Sequence, residues 1–240
     1  GALAHGTQSI KPVVKLFGPG NAYVMEAKRQ LFGVVGVDLL PGPSELMIIA
    51  DKSANPEWVA ADLLAQGEHG SGKEKLYLVA WDKELVDQVN AAIDRQVPTL
   101  SYAGKLKTVL AKGTLCVLVE TEQQAVEVAN QIAPEHLEVQ TDRAVAKRLA
   151  KQITPAGAQL LGHYPPAVLG DFAAGPSHTL PTNRSGRFLS GLKISDFFRR
   201  TSILDYSPAA LRKAAPVVAA FAEMERLDAH GRSVSTRLGK

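Results

Sequence analysis

Cysteine is nearly absent from this chain, and the one residue present, Cys116, cannot form an intramolecular disulfide. The lack of a disulfide framework fits a reducing cytoplasm. Cys116 lies in the apolar run Leu115-Cys-Val-Leu-Val119, which reads as a buried strand holding an inert thiol. Charge of one sign is also lacking: Lys and Arg are interspersed with Asp and Glu, and the net charge is only +3. That balance argues against nucleic-acid and membrane-surface partners and for a solvated surface. No apolar stretch reaches the ~18 residues of a membrane span, and neither a signal peptide, an internal repeat nor a low-complexity segment is visible. Because the chain opens on Gly1 rather than Met, inside what reads as a helix end, upstream sequence is expected to be missing. A cytoplasmic protein is expected, with a lost plastid-targeting segment as the alternative.

At 240 residues and 45% hydrophobic content, the chain can bury a substantial core. Strand-like and helix-like runs alternate. The apolar runs at 13–17, 45–50, 76–81, 115–119 and 137–140 read as strands. Helical spacing marks 22–32, 56–66, 83–95, 122–131 and 143–151. Such alternation predicts an α/β fold with Rossmann-like, mainly parallel sheets. The expected layout is two incomplete domains, 1–45 with 132–192 and a second portion at 46–131, followed by a C-terminal helical dimerisation tail over 193–240. From about residue 165 prolines and glycines repeat every few residues, predicting loops that carry Asp171 and His178. Helices are expected from Pro208 to Asp228, ending near His230.

Six histidines are scattered along the chain, and three sit in short polar clusters. Gln66 and His69 are three apart at the end of a helical pattern, so both can face one side; Gly67 and Gly70 would allow close approach. Glu135 and His136 follow Pro134 at a strand entrance and can move protons near neutral pH. Glu225 and His230 close the helical tail, where an imidazolium gains from the helix dipole. Imidazole, carboxamide and carboxylate are all plausible ligands for a divalent cation such as zinc. Each cluster also has a plainer reading: a structural Gln–His pair, a hydrogen-bonded histidine, turn chemistry at Gly170-Asp171, an exposed His178. Gly18-Pro-Gly-Asn21 lies between a strand and a helix, where an anion can bind, although Asn21 equally reads as a helix N-cap. Gly42-Pro-Ser44-Glu45 reads as a β-turn.

Taken in order, GPGNAYVMEAK (18–28), GPSELMIIAD (42–51), DLLAQGEHG (62–70), APEHLE (133–138), GDFAAGPSHTLPT (170–182), SGLKISDF (190–197) and ERLDAHG (225–231) resemble the histidinol dehydrogenase family. The resemblance covers the C-terminal part of that family's chain; an N-terminal segment carrying part of the nicotinamide site has no counterpart. It implies oxidation of L-histidinol through L-histidinal to L-histidine with two NAD⁺, the last step of histidine biosynthesis. It also implies one zinc per site, held by Gln66, His69, Asp171 and His230, with His230 supplied by the partner subunit of a homodimer. By the same resemblance Glu135 and His136 are the catalytic acid–base pair, and Ser44, His178 and Glu225 contact the substrate. His136 and the zinc ligands Gln66, His69, Asp171 and His230 would border it too, and Asn21 would touch NAD. Gly67 stands where the family pattern has Ala.

Three other readings stay open on sequence: a related zinc- and NAD-dependent dehydrogenase of another polyol such as a sulfonated diol, a non-catalytic fragment that needs its missing N-terminal region, and a binding module whose histidines are structural.

Overall fold

The computed structural model describes residues 1–239. Its centre is a fully parallel five-stranded sheet in the order β5-β4-β3-β6-β7. The strands are β3 (Glu45–Ala50), β4 (Lys75–Ala80), β5 (Thr114–Leu118), β6 (His136–Gln140) and β7 (Ala158–Leu161). A separate parallel pair, β1 (Lys15–Leu16) and β2 (Gly36–Val37), precedes it. The chain divides by compactness into 1–197 and 198–240. The expected separation of 46–131 from 1–45 and 132–192 does not occur. Strand β3 hydrogen-bonds β4 on one side and β6 on the other, so the sheet crosses both expected boundaries.

Why β3 occupies the middle follows from its composition. Every residue of Glu-Leu-Met-Ile-Ile-Ala is buried, as a strand covered on both faces requires. Leu46, Ile48 and Ala50 face one layer, formed by α3 (Pro56–Gly67), α4 (Lys83–Gln96) and α8 (Ala167–Phe172). Met47 and Ile49 face the other, formed by α6 (Glu122–Ile132) and α7 (Arg143–Ala150). Helix starts are set locally: Asn55, Asp82 and Thr121 each accept N-terminal amides of α3, α4 and α6, and Pro56 occupies the first turn of α3. Helix α5 (Ala103–Lys112), strand β7 and helix α8 were not anticipated; they lie in a Lys-rich stretch, a four-residue run and a proline-flanked segment.

Cys116 corrects an expectation. It is exposed rather than buried, because β5 is an edge strand with Leu115 and Leu118 also facing solvent. Its thiol is nevertheless held above the ordinary range by partial desolvation, which leaves it protonated and unreactive.

The unit 198–240 contains α9 (Pro208–Glu225) and α10 (Asp228–Ser235). Arg226 ends α9 in the left-handed conformation, and its N–H and that of Leu227 return to the last carbonyls. His230 therefore sits in the first turn of α10, not at the C-terminal end of a helix as expected.

Around α2 (Ala22–Leu31), Lys28 and Asp38 form an ion pair at 2.5 Å with side chains 6% and 1% exposed. Lys28 also donates to the Gly18 carbonyl, and the Gly18 N–H donates to Asp38 at 2.6 Å. Both backbone groups at the start of Gly18-Pro-Gly-Asn21 are thus clamped. Breaking a buried pair strands the partner charge, so Asp38→Asn is expected to lower the unfolding free energy by about 3–5 kcal/mol at pH 7. Burial pushes the Asp38 carboxyl up, but the Lys28 ammonium and the Gly18 amide outweigh it and hold it below its ordinary value. A depressed folded value means the contribution is present above about pH 4 and is lost as pH falls through the folded value. Urea denaturation of wild type and Asp38→Asn is therefore expected to show a gap that closes only below about pH 4; a gap unchanged down to about pH 2 contradicts this.

Candidate active site

The chain enters β6 by an irregular route. Ala133 caps α6 in the left-handed conformation and Pro134 follows, which sets Glu135 just ahead of the strand and His136 at its first position. Neighbouring residues on a regular strand face opposite ways; here both side chains line one cavity of about 340 Å³. The parallel register sets Leu46 beside His136, bringing Ser44 and Glu45 to the same edge. The Glu45 N–H donates to Glu135 Oε2 at 2.9 Å. Gly157 closes the back of this turn: a Cβ there would meet the Glu135 carbonyl oxygen at 2.7 Å, so only glycine allows β7 to approach.

Helix α3 runs back from the far edge of the sheet, so its C-terminus returns to this one. Gln66 Nε2 lies 2.8 Å from His69 Nδ1. Across from them, Asp171 stands in α8 rather than in the expected loop, and its Oδ1 is 3.2 Å from His136 Nε2. Ser44, His69, Glu135, His136, Asp171 and His178 line the 340 Å³ cavity together. Gln66, His69 and Asp171 also share a recess of about 10 Å³, on the scale of one water-sized body. The site lies at the amino edge of the strands, opposite to the carboxyl-edge placement usual for open α/β sheets.

Asn21 caps α2, its Oδ1 accepting the amides of Tyr23 and Val24 at 3.1 Å each. It borders a neighbouring cavity of about 580 Å³ that shares Gly20, Pro41 and Gly42 with the first. Glu225, the last residue of α9, and His230 belong to the unit 198–240, and both are exposed.

The electrostatics separate the acids. Burial pushes the Glu135 carboxyl up to about 7, against the attraction of His136. Asp171 is held below the ordinary carboxylate range by its hydrogen bond to His136, which outweighs its desolvation. For His136 burial works against the charged form, but Asp171 and Glu135 overcome it and raise the imidazole above its usual value. His136 Nδ1 is buried without a hydrogen-bond partner, 3.8 Å from Glu135 Oε2. A carboxyl that exchanges its proton near neutrality and an imidazole biased toward its charged form, beside a fixed carboxylate, can pass a proton to and from a bound hydroxyl or water.

The residues also suit a cation. Gln66 and His69 are neutral donors, Asp171 is a carboxylate kept ionised, and all three border one small recess. The set is incomplete within 1–197 alone: among the described residues no three His, Cys, Asp or Glu groups converge as a metal cluster, and a tetrahedral site needs a further ligand.

Sequence reasoning missed Glu45, Asp62, Glu138 and Gln140, all but Asp62 buried. Glu138 and Gln140 alternate with apolar residues in β6, a period-2 pattern that ordinarily signals a solvent face. Only the covering helices reveal otherwise.

A family model described as histidinol dehydrogenase matches residues 1–238. Histidinol dehydrogenase of Agrobacterium fabrum is 48% identical over 237 residues, covering 99% of this chain and 54% of the relative. Histidinol dehydrogenase 1 of a Nostoc species is 43% identical over 238 residues with the same coverage. The crystal structure of histidinol dehydrogenase from Elizabethkingia anophelis superposes with a TM-score of 0.92 at 33% identity, over 99% of this chain and 54% of that one. The chain thus spans about half the length of the curated relatives it matches.

The elevated Glu135 carboxyl is directly measurable. Infrared difference titration of the metal-free chain is expected to show a protonated-carboxyl band that disappears near pH 7 and is missing in Glu135→Gln. A carboxyl that titrates in the ordinary range instead contradicts the burial argument.

Proposed function

Because the chain belongs to the histidinol dehydrogenase family, we propose that it forms the acid–base and metal-binding part of an NAD-dependent enzyme that oxidises L-histidinol through L-histidinal to L-histidine. The observation that carries this reading is the convergence of Ser44, His69, Glu135, His136, Asp171 and His178 on one cavity. When bound, zinc would fix the substrate's imidazole and amine, and NAD⁺ would accept a hydride in each of two oxidations.

The chain's own groups supply the rest. His136 takes the hydroxyl proton of the alcohol through Nε2 or Nδ1; its contact with Asp171 supports the cationic form that results. Glu135, half-titrated near neutral pH, draws a proton from the water that hydrates the aldehyde before the second oxidation. Ser44 and His178 line the wall and hydrogen-bond the polar substrate. Zinc would be held by Gln66, His69 and Asp171, with His230 completing the set from the partner subunit of a homodimer. Glu225 would pair with the substrate ammonium. Asn21 would meet NAD from the adjoining 580 Å³ cavity. No helix among the described residues is long and apolar enough to cross a membrane; we read the enzyme as cytoplasmic, without nucleic-acid or membrane partners.

Zinc content and dimerisation of the 240-residue chain, with and without an N-terminal segment like that of its relatives, test the assembly. NADH formation from L-histidinol tests the activity. His136→Ala and Glu135→Gln are each expected to lower kcat about 10²–10⁴-fold while zinc content is unchanged, whereas His69→Ala is expected to lose zinc. Turnover of dihydroxypropanesulfonate and not of histidinol overturns the substrate assignment, and unchanged zinc stoichiometry in His69→Ala overturns the metal assignment.

A further inference from the structure

Deeper along β6 lies a second polar cluster that the chemistry above does not use. Glu138 and Gln140 follow His136 at alternate positions, and in register they stand beside Ile48 and Ala50, on the face covered by α3 and α8. Gln140 Nε2 donates to Asp62 Oδ2 of α3 at 2.9 Å and to Glu138 Oε2 at 2.8 Å. The remaining Glu138 oxygen, Oε1, accepts the Ala167 N–H at 2.7 Å, which is the first amide of α8. No residue of α8 itself caps that end: Pro166 occupies the cap position, with no side-chain acceptor to offer. Gln140 thus bridges Asp62 and Glu138, and burial raises both carboxyls above the ordinary range.

The spacing gives this cluster its consequence. Asp62 precedes Gln66 by four residues and Ala167 precedes Asp171 by four, so in each helix the gripped residue lies one turn below a candidate ligand. Asp62 and Ala167 also line the 10 Å³ recess shared by Gln66, His69 and Asp171. We propose that Asp62, Glu138 and Gln140 form a positioning unit that ties α8 to α3 and thereby sets the separation of Asp171 from Gln66 and His69. This rests on the metal reading given above. Their hydrogen bonds run to one another and to Ala167, not to Glu135 or His136, so they act through the helices they hold.

The experiment compares Glu138→Ala with Glu138→Gln and Asp62→Asn, which keep an acceptor for Ala167 and hydrogen bonding across the pair. Two quantities are measured on the purified chain: Zn²⁺ affinity by competition with a chelating dye, and amide hydrogen exchange over 167–172. Glu138→Ala is expected to weaken Zn²⁺ binding about 10–100-fold and to speed exchange across α8. Glu138→Gln and Asp62→Asn are expected to stay within about threefold of wild type, since outer contacts are then preserved. Zinc affinity unchanged in Glu138→Ala, or Glu138→Gln as impaired as Glu138→Ala, overturns the proposal. A wild-type chain that takes up no zinc sinks the metal reading instead. The exchange data then decide this one alone: protection lost in Glu138→Ala and restored in Glu138→Gln supports it, and unchanged protection overturns it.

Discussion

Parallel pairing of β3 with β6 is the constraint from which the rest of the site follows. Strands 90 residues apart in sequence are locked with Leu46 beside His136 and Ala50 beside Gln140. That register carries Ser44 and Glu45 to the edge where Glu135 and His136 emerge, and the Glu45 amide then anchors Glu135. A shift by one residue would turn His136, Glu138 and Gln140 to the opposite face, among Met47, Ile49 and the side chains of α6 and α7. It would bury three polar groups without partners and turn His136 away from the cavity it lines with Glu135. Hydrophobic burial of Leu137 and Val139 therefore specifies the chemistry on the other side of the same strand.

Along that polar face the sheet sorts protons by environment. At the open end, Asp171 and His136 stabilise each other's charged forms, whereas Glu135, more deeply buried than Asp171, holds its proton to about pH 7. Further in, Glu138 is buried beside the half-buried Asp62, and both are pushed toward the neutral form. Groups whose environments push their proton affinities apart are the ones that can divide acid and base roles. The inner carboxyls instead serve as hydrogen-bonding structure. Burying so many polar groups costs stability unless each finds a partner; here most do, through backbone amides of Glu45 and Ala167 and through Gln140.

Local signals were readable in the sequence to the extent that they were local. The apolar run at 45–50 and the helical spacing at 56–66 and 122–131 correspond closely to β3, α3 and α6, because burial on both faces or one face leaves a period. Of the polar residues singled out in the long motifs, Ser44, His69, Glu135, His136, Asp171 and His178 line one cavity, Gln66 borders the adjoining recess and Asn21 the neighbouring cavity, whereas Glu225 and His230 lie in the unit 198–240. What could not be read was long-range. Which strands pair decides that 1–197 is one compact body, and no periodicity encodes it. Cys116 looked buried because Leu-Cys-Val-Leu-Val has a core composition, yet β5 ended at the sheet's edge. Asp171 looked like turn chemistry after Gly170; only the Glu138 carboxylate at Ala167 explains why a short helix forms there. The Lys28–Asp38 clamp joins two unremarkable charges whose burial depends on the fold around them.

The central claim is that one continuous polar face, ordered by β6, holds His136 against Asp171 in a dry environment. Nitrogen-15 NMR titration of the His136 imidazole in the metal-free protein tests it most directly. The account requires a His136 midpoint above the free-histidine value of about 6.5, and a lower midpoint in Asp171→Asn, where Glu135 opposes burial without the Asp171 carboxylate. An ordinary midpoint that the substitution does not move would contradict it.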